Sequence, residues 1–129
     1  MAIDILIAED EPSILEALTF VMRRAGWTVQ TVTDGEAVMS AVRREAPRVL
    51  VLDIMLPKRS GFEVLKQIRA NEATRALPVL VLTAKGQQQD RRIAEELGAD
   101  SFVTKPYSNA EVVDAVRALL DEGAALERQ

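Results

Sequence analysis

The chain has 129 residues, 48% of them hydrophobic, and a net charge of −4. This is enough for one globular domain with its own core, and the acidic balance speaks against a nucleic-acid surface. Cys and His are both absent, which excludes disulfides, thiolate chemistry, Ser-His-Asp triads and histidine or cysteine metal sites. What remains for chemistry is carboxylate, hydroxyl, Lys, Arg, backbone and a hard metal. No apolar stretch approaches a membrane span. Met1-Ala2-Ile3-Asp4 lacks the basic-then-apolar order of a secretory signal, so a cytoplasmic location is expected.

Strand and helix signals alternate along the whole length. Ile3 to Ala8 reads as the first strand. Pro12 suits a first helical turn, Ile14, Ala17, Leu18, Val21, Met22 and Ala25 recur on one face, and Gly26 can close the helix. Leu15 lies at the edge of that arc and Phe20 outside it, either as scattered surface apolars or as a docking patch for a partner helix. Thr28 to Val32 alternates and is β-branched, a second strand. Asp34 is a candidate cap for a helix carrying Ala37, Val38, Ala41 and Val42, stopping before Pro47. Val49 to Leu52 is a third strand, apolar on both faces, that ends on Asp53. Ser60 and Glu63 form a capping-box pattern ahead of Phe62, Leu65 and Ile68. Val79 to Leu82 is a fourth strand, ending at Thr83-Ala84. Gln87 to Leu97 is helical but sparsely apolar, anchored by Ile93, Ala94 and Leu97. Ser101 to Thr104 is the fifth strand, followed by Lys105-Pro106. Ser108 and Glu111 open a last helix, with Val112, Val113, Val116, Leu119 and Leu120 inward and Gly123 as its expected end. The expected division is a domain over 1–122 and a tail or linker start over 123–129.

Alternating buried strands and amphipathic helices predict an α/β fold, a doubly wound (βα)5 parallel sheet. In such sheets the ligand crevice lies beyond the carboxyl ends of the strands, where the strand order reverses. Those ends carry Glu9 and Asp10, Asp53, Thr83 and Lys105. In the flavodoxin-like order 2-1-3-4-5, Glu9, Asp10 and Asp53 flank the switch point. Three carboxylates in one crevice repel, and a hard divalent cation such as Mg²⁺ relieves them. With Lys105 and Thr83 added, the parts suit phosphoryl transfer to a carboxylate nucleophile. Singly, each residue has an ordinary reading: Asp53 as a cap, Glu9 and Asp10 at a helix N-terminus, Thr83 as a turn residue, Lys105 as a solvated charge. Together they fall on the strand ends expected to line one crevice.

With these residues placed, the chain resembles the receiver domain of two-component response regulators from Ile3 to about Leu120. The resemblance rests on Ala8-Glu9-Asp10-Glu11-Pro12, on Leu52-Asp53-Ile54-Met55-Leu56-Pro57 with Gly61 beyond, on Thr83-Ala84, and on Gly98-Ala99-Asp100 leading to Lys105-Pro106. It implies that Asp53 accepts a phosphoryl group from a phosphohistidine on a histidine kinase or histidine phosphotransfer protein. It implies Mg²⁺ held by Asp10, Asp53 and the Met55 backbone carbonyl, with Glu9 acting through water. Lys105 would pair with the phosphoryl oxygens, Thr83 would bond one of them, and Phe102 would be the switch aromatic. The Lys105-Pro106 bond would be cis. Glu9 stands where Asp is commonest and Phe102 where Tyr is frequent. Met55 and Lys85 occupy positions that tune dephosphorylation in this family.

The expected function is a phosphorylation-driven signalling switch, not an enzyme beyond self-catalysed phosphotransfer and autodephosphorylation. Its output face would combine the fourth helix, fifth strand and fifth helix, open to a downstream protein, an output domain or a second copy, with no direct nucleic-acid or membrane contact. About nine residues lie beyond Leu120, so no output domain is expected within the chain. A Mg²⁺-dependent aspartyl-nucleophile phosphatase is the alternative. Haloacid-dehalogenase-like phosphatases place a second acid two residues after the nucleophile, where this chain has Met55. A nucleotide or flavin binder lacks its Gly-rich loop, and a binding-only degenerate receiver would not need the full set Asp10, Asp53, Thr83 and Lys105.

Overall fold

Short apolar runs bounded by turn residues become strands when both faces can be covered, and here all of them do. The computed structural model describes residues 2–83, 88–105 and 107–127, with 124–127 as backbone only. Its strands are β1 (Ile5–Ala8), β2 (Val29–Val32), β3 (Val49–Asp53), β4 (Val79–Thr83) and β5 (Ser101–Thr104). Its helices are α1 (Pro12–Arg24), α2 (Glu36–Glu45), α3 (Gly61–Ala70), α4 (Gln88–Glu96) and α5 (Asn109–Glu127). The strands are parallel in the order β2-β1-β3-β4-β5, the expected flavodoxin-like arrangement.

The period of two along each strand divides the core into two layers. Leu6, Leu50, Leu52, Val79 and Val81 face α2, α3 and α4. Ile5, Ile7, Val49, Val51, Leu80 and Leu82 face α1 and α5. Each such side chain taken fully out of water contributes roughly 1.5–3 kcal/mol. The helices share this burial unequally. α3 buries Val64, Leu65 and Ile68, whereas α4 buries only Ala94.

Local chemistry moves several boundaries from their expected places. β1 begins at Ile5 because Asp4 turns aside: its Oδ2 accepts from Thr28 N at 2.9 Å, and its own N donates to Thr28 Oγ1 at 2.8 Å. The same exchange takes Thr28 out of β2. Ala25 is exposed at the end of α1 instead of lying on its buried face, and Gly26 follows in a left-handed conformation (φ 95°). Asp34 caps α2 from one residue before its N-cap, accepting from Ala37 N at 2.9 Å. Ser60 and Ser108 accept from Glu63 N and Glu111 N, as the capping pattern requires. The expected stop at Gly123 is overturned: α5 runs through it to Glu127. A glycine in a helix costs about 1 kcal/mol, and the helix-forming residues after it favour continuing the last turns. Gln87, the expected start of α4, lies outside the described residues.

At the amino ends of the strands, Arg69 ties two loops together. Its guanidinium donates to Gly98 O, Arg75 O and Leu77 O and to Asp100 Oδ2, at 2.7–2.9 Å. Asp100 Oδ2 also accepts from Val79 N at 2.8 Å, so the pair clamps the start of β4. Gly98 takes φ 97°, and a Cβ there would lie 3.0 Å from Arg69 Nε. Lysine has no planar fork to serve these acceptors. Arg69→Lys is expected to lower stability by about 2–3 kcal/mol through the unmet carbonyls, read as a lower urea midpoint with an unchanged slope.

Candidate functional site

The parallel register carries the polar residues to one edge. Ala8 pairs with Leu52, so Glu9 and Asp53 lie one step on, side by side at the ends of β1 and β3. Glu9 is held there by its N donating to Val32 O at 3.1 Å. Asp53 sits at the last position of a strand whose five residues are all buried. Beyond it, Ile54 N bonds Leu82 O at 3.2 Å and Gly61 N bonds Ile54 O at 3.0 Å. The chain thus folds back so tightly that a Cβ on Gly61 would lie 2.7 Å from Asp53 O. No residue but glycine fits that approach.

Asp53 is 2% exposed, Glu9 is 1% exposed, and Asp10 faces solvent. One carboxylate oxygen of each lies within 4.8 Å of the others. Asp53 Oδ1 accepts from Met55 N at 3.0 Å, and its Oδ2 is 3.8 Å from Lys105 Nζ. Lys105 is aimed by its own N, which donates to Thr83 O at 2.8 Å. Glu9 Oε1 accepts from Glu11 N at 3.2 Å, while Oε2 is buried without a partner among the described residues. Burial first, then the adjoining Asp53 carboxylate, pushes Glu9 up to about 8, against the opposing pull of Lys105 and Glu11 N–H. The buried site therefore favours the protonated form of Glu9. The donor set is all oxygen, with two carboxylates forced together and one buried oxygen unmet, and these residues could hold a hard divalent cation.

Thr83 ends β4 at 2% exposure, beside Thr104 in the register. Its Oγ1 bonds Thr104 Oγ1 at 3.3 Å. Thr104 was not singled out in the sequence, though two threonines ending adjacent parallel strands are the signal that could have found it. Phe102 is half-buried on the α2/α3/α4 layer, and Arg91 of α4 lies 5.1 Å from its ring centre. Met55 is 69% exposed, an apolar side chain standing beside the crevice mouth. Leu15 is half-buried and Phe20 is 61% exposed on α1, as the helical arc required. Ala84, Lys85 and Pro106, with the expected cis bond, lie outside the described residues. A further buried group, the Tyr107 hydroxyl, went unread in the sequence because a tyrosine after a proline carries no signal of its own.

The strand-end crevice matches a known pattern. The family model for the response regulator receiver domain matches residues 5–117. The chain is 43% identical to the probable transcriptional regulatory protein TcrX of Mycobacterium tuberculosis, covering 92% of this chain and 50% of that one. It is also 43% identical to the alkaline phosphatase synthesis transcriptional regulatory protein PhoP of Bacillus subtilis, covering 90% of this chain and 48% of that one. It thus spans about half the length of these relatives. Among solved structures, a putative response regulator from Chloroflexus aurantiacus superposes with a TM-score of 0.88 at 30% identity, covering 94% of this chain and 99% of that one. The receiver domain of a signal transduction histidine kinase from Syntrophus aciditrophicus gives 0.86 at 27% identity, covering 94% and 92%. A match over nearly the whole chain, on a sheet that gathers these carboxylates, Thr83 and Lys105 at one edge, places it in the family of response regulator receiver domains.

Proposed function

We propose that this receiver domain is switched by phosphorylation of Asp53. The observation that carries this is the state of its carboxylate. It is nearly sealed from water, one oxygen is fixed by Met55 N, and the other faces Lys105 at 3.8 Å. A carboxylate held this way is oriented for in-line attack on phosphorus. The new bond is Asp53 Oδ to phosphorus, and the bond that breaks is phosphorus to an imidazole nitrogen, which leaves with a proton. The chain has no His, so the donor is a histidine kinase or histidine phosphotransfer protein, with Leu15 and Phe20 available on α1 for docking. Mg²⁺ held by Asp10, Asp53 and the Met55 carbonyl, with Glu9 acting through water, would supply charge neutralisation. Lys105 adds a positive charge toward the phosphoryl oxygens. Response regulators as a class relay signals rather than turn over free substrates, and self-catalysed transfer and loss of the phosphoryl group are proposed on the same residues. The phosphatase and binding-only readings are not favoured.

The conformational response follows from Thr83. To meet a phosphoryl oxygen, its hydroxyl must leave Thr104. Phe102 then gains room to turn inward, away from Arg91. α4, with Ala94 as its one fully buried side chain, is the element least able to resist. The α4–β5–α5 face is accordingly proposed as the output surface, for a downstream protein, an attached output domain or a second copy. We place the protein in the cytoplasm. Among the described residues no helix is long and apolar enough to cross a membrane. The domain is proposed to span 1–122, with 123–129 as a short C-terminal tail or the start of a linker, into which α5 runs as far as Glu127.

Four outcomes test this reading. After treatment with a small phosphodonor and Mg²⁺, intact mass should show one added phosphoryl group, and Asp53→Asn should show none. Because Glu9 is raised from 4.5 to about 8, the folded chain binds a proton across that window that the unfolded chain has released. The contribution of Glu9 to the stability of the metal-free protein should therefore be full below the window and be lost as pH rises through it, a loss that Glu9→Gln removes. A cation competes with the same proton, so calorimetry should find tighter Mg²⁺ binding at about pH 8 than at about pH 6, with Glu9→Gln flattening the difference. Finally, a phosphoryl mimic should change amide exchange across α4, β5 and α5 while leaving β1 and β3 unchanged. Equal exchange on both would remove α4–β5–α5 as the output face.

A further inference from the structure

Two buried side-chain polar atoms have no partner among the described residues: Glu9 Oε2 and Tyr107 Oη. They are chemically complementary. An ionised carboxylate oxygen only accepts, and a phenol hydroxyl donates. Buried groups of this kind are normally paired, so two orphans in one neighbourhood ask for a common explanation.

Their neighbourhood is shared. Tyr107 follows β5 and precedes α5, on the edge of the sheet that carries the acidic crevice. Its ring packs on the core layer under α1 and α5, beside the helix that starts just after Glu11. Its hydroxyl end feels the charges of Glu9, Asp53 and Glu11, which add to burial in pushing the phenol well above its ordinary range. The hydroxyl therefore stays protonated and able to donate. Were the ring only an apolar plug, its polar end would gain nothing from lying sealed among carboxylates.

We propose that Tyr107 is a positioning residue for the acidic site, its hydroxyl donating a hydrogen bond to Glu9 Oε2 and holding that carboxylate toward the cation position. This rests on the reading of Glu9, Asp10 and Asp53 as a divalent cation site. Partners that orient the groups around a metal commonly set its affinity as strongly as a weak ligand does. Removing the hydroxyl while keeping the ring should weaken Mg²⁺ binding by about threefold to tenfold.

Tyr107 is the only tyrosine of the chain, so ¹³Cζ-tyrosine labelling gives one resonance that reports on this hydroxyl. The expected result has three parts. The resonance moves when Glu9→Gln is introduced in the metal-free protein, and does not move for the exposed control Glu63→Gln. It moves again when the wild-type protein is titrated with Mg²⁺. Tyr107→Phe, with unchanged circular dichroism, binds Mg²⁺ three to ten times more weakly by calorimetry. A resonance indifferent to Glu9→Gln overturns the hydrogen bond. A resonance that follows Glu9→Gln, with Tyr107→Phe binding Mg²⁺ as tightly as wild type, overturns the positioning role and leaves a packing contact. If the wild-type protein binds no Mg²⁺, the cation reading of the site fails and takes the positioning role with it.

Discussion

Two carboxylates, on Glu9 and Asp53, are almost wholly withdrawn from water and held side by side. Two negative charges cannot share such a place without a proton, a cation or a positive side chain between them. The fold creates this conflict deliberately late, at the last residue of β3 and the first beyond β1, where the buried strands open to solvent. Lys105 offsets part of it from 3.8 Å. The raised Glu9 takes up a proton for the remainder. A site in this condition gains from any ligand that brings positive charge. On the proposed reading, a phosphoryl group added to Asp53 would change that balance, because it brings further charge and strong acceptor oxygens.

How that change travels depends on what is weakly held. β3 and β4 are buried at every position and lie at the centre of the sheet, so they cannot yield without breaking the core. The Thr83–Thr104 bond is a neutral contact at 3.3 Å, with modest net worth, and it can be exchanged for a charge-assisted one. Next to it, Phe102 is half-buried under Arg91, and α4 reaches the core chiefly through Ala94. The strands that fix Asp53 are thus buried at every position, whereas Phe102 and α4 beside Thr83 are more weakly anchored.

The opposite end of the sheet shows the complementary arrangement. Arg69 spends its guanidinium on the carbonyls of two loops and on Asp100, which in turn holds Val79 N. Those bonds close the amino ends of β4 and β5.

Periodicity and apolar runs determined the elements, their order and the crevice. Burial on both faces needs no tertiary knowledge to be read from Val49-Leu50-Val51-Leu52, and a carboxylate ending such a run stands out for the same reason. The acidic trio, Thr83 and Lys105 were legible because strand ends converge in any parallel sheet of this order. Contacts between residues far apart in the chain were not legible. Asp4 shortens β1 through Thr28, Thr104 holds Thr83, Arg69 gathers two loops, and the Tyr107 hydroxyl is buried. Each depends on where a side chain points after packing, and local spacing carries no information about that. Gly123 is the converse case. Its composition signals a helix end, but nothing there requires a positive φ, so the favourable turns on either side carried α5 onward to Glu127.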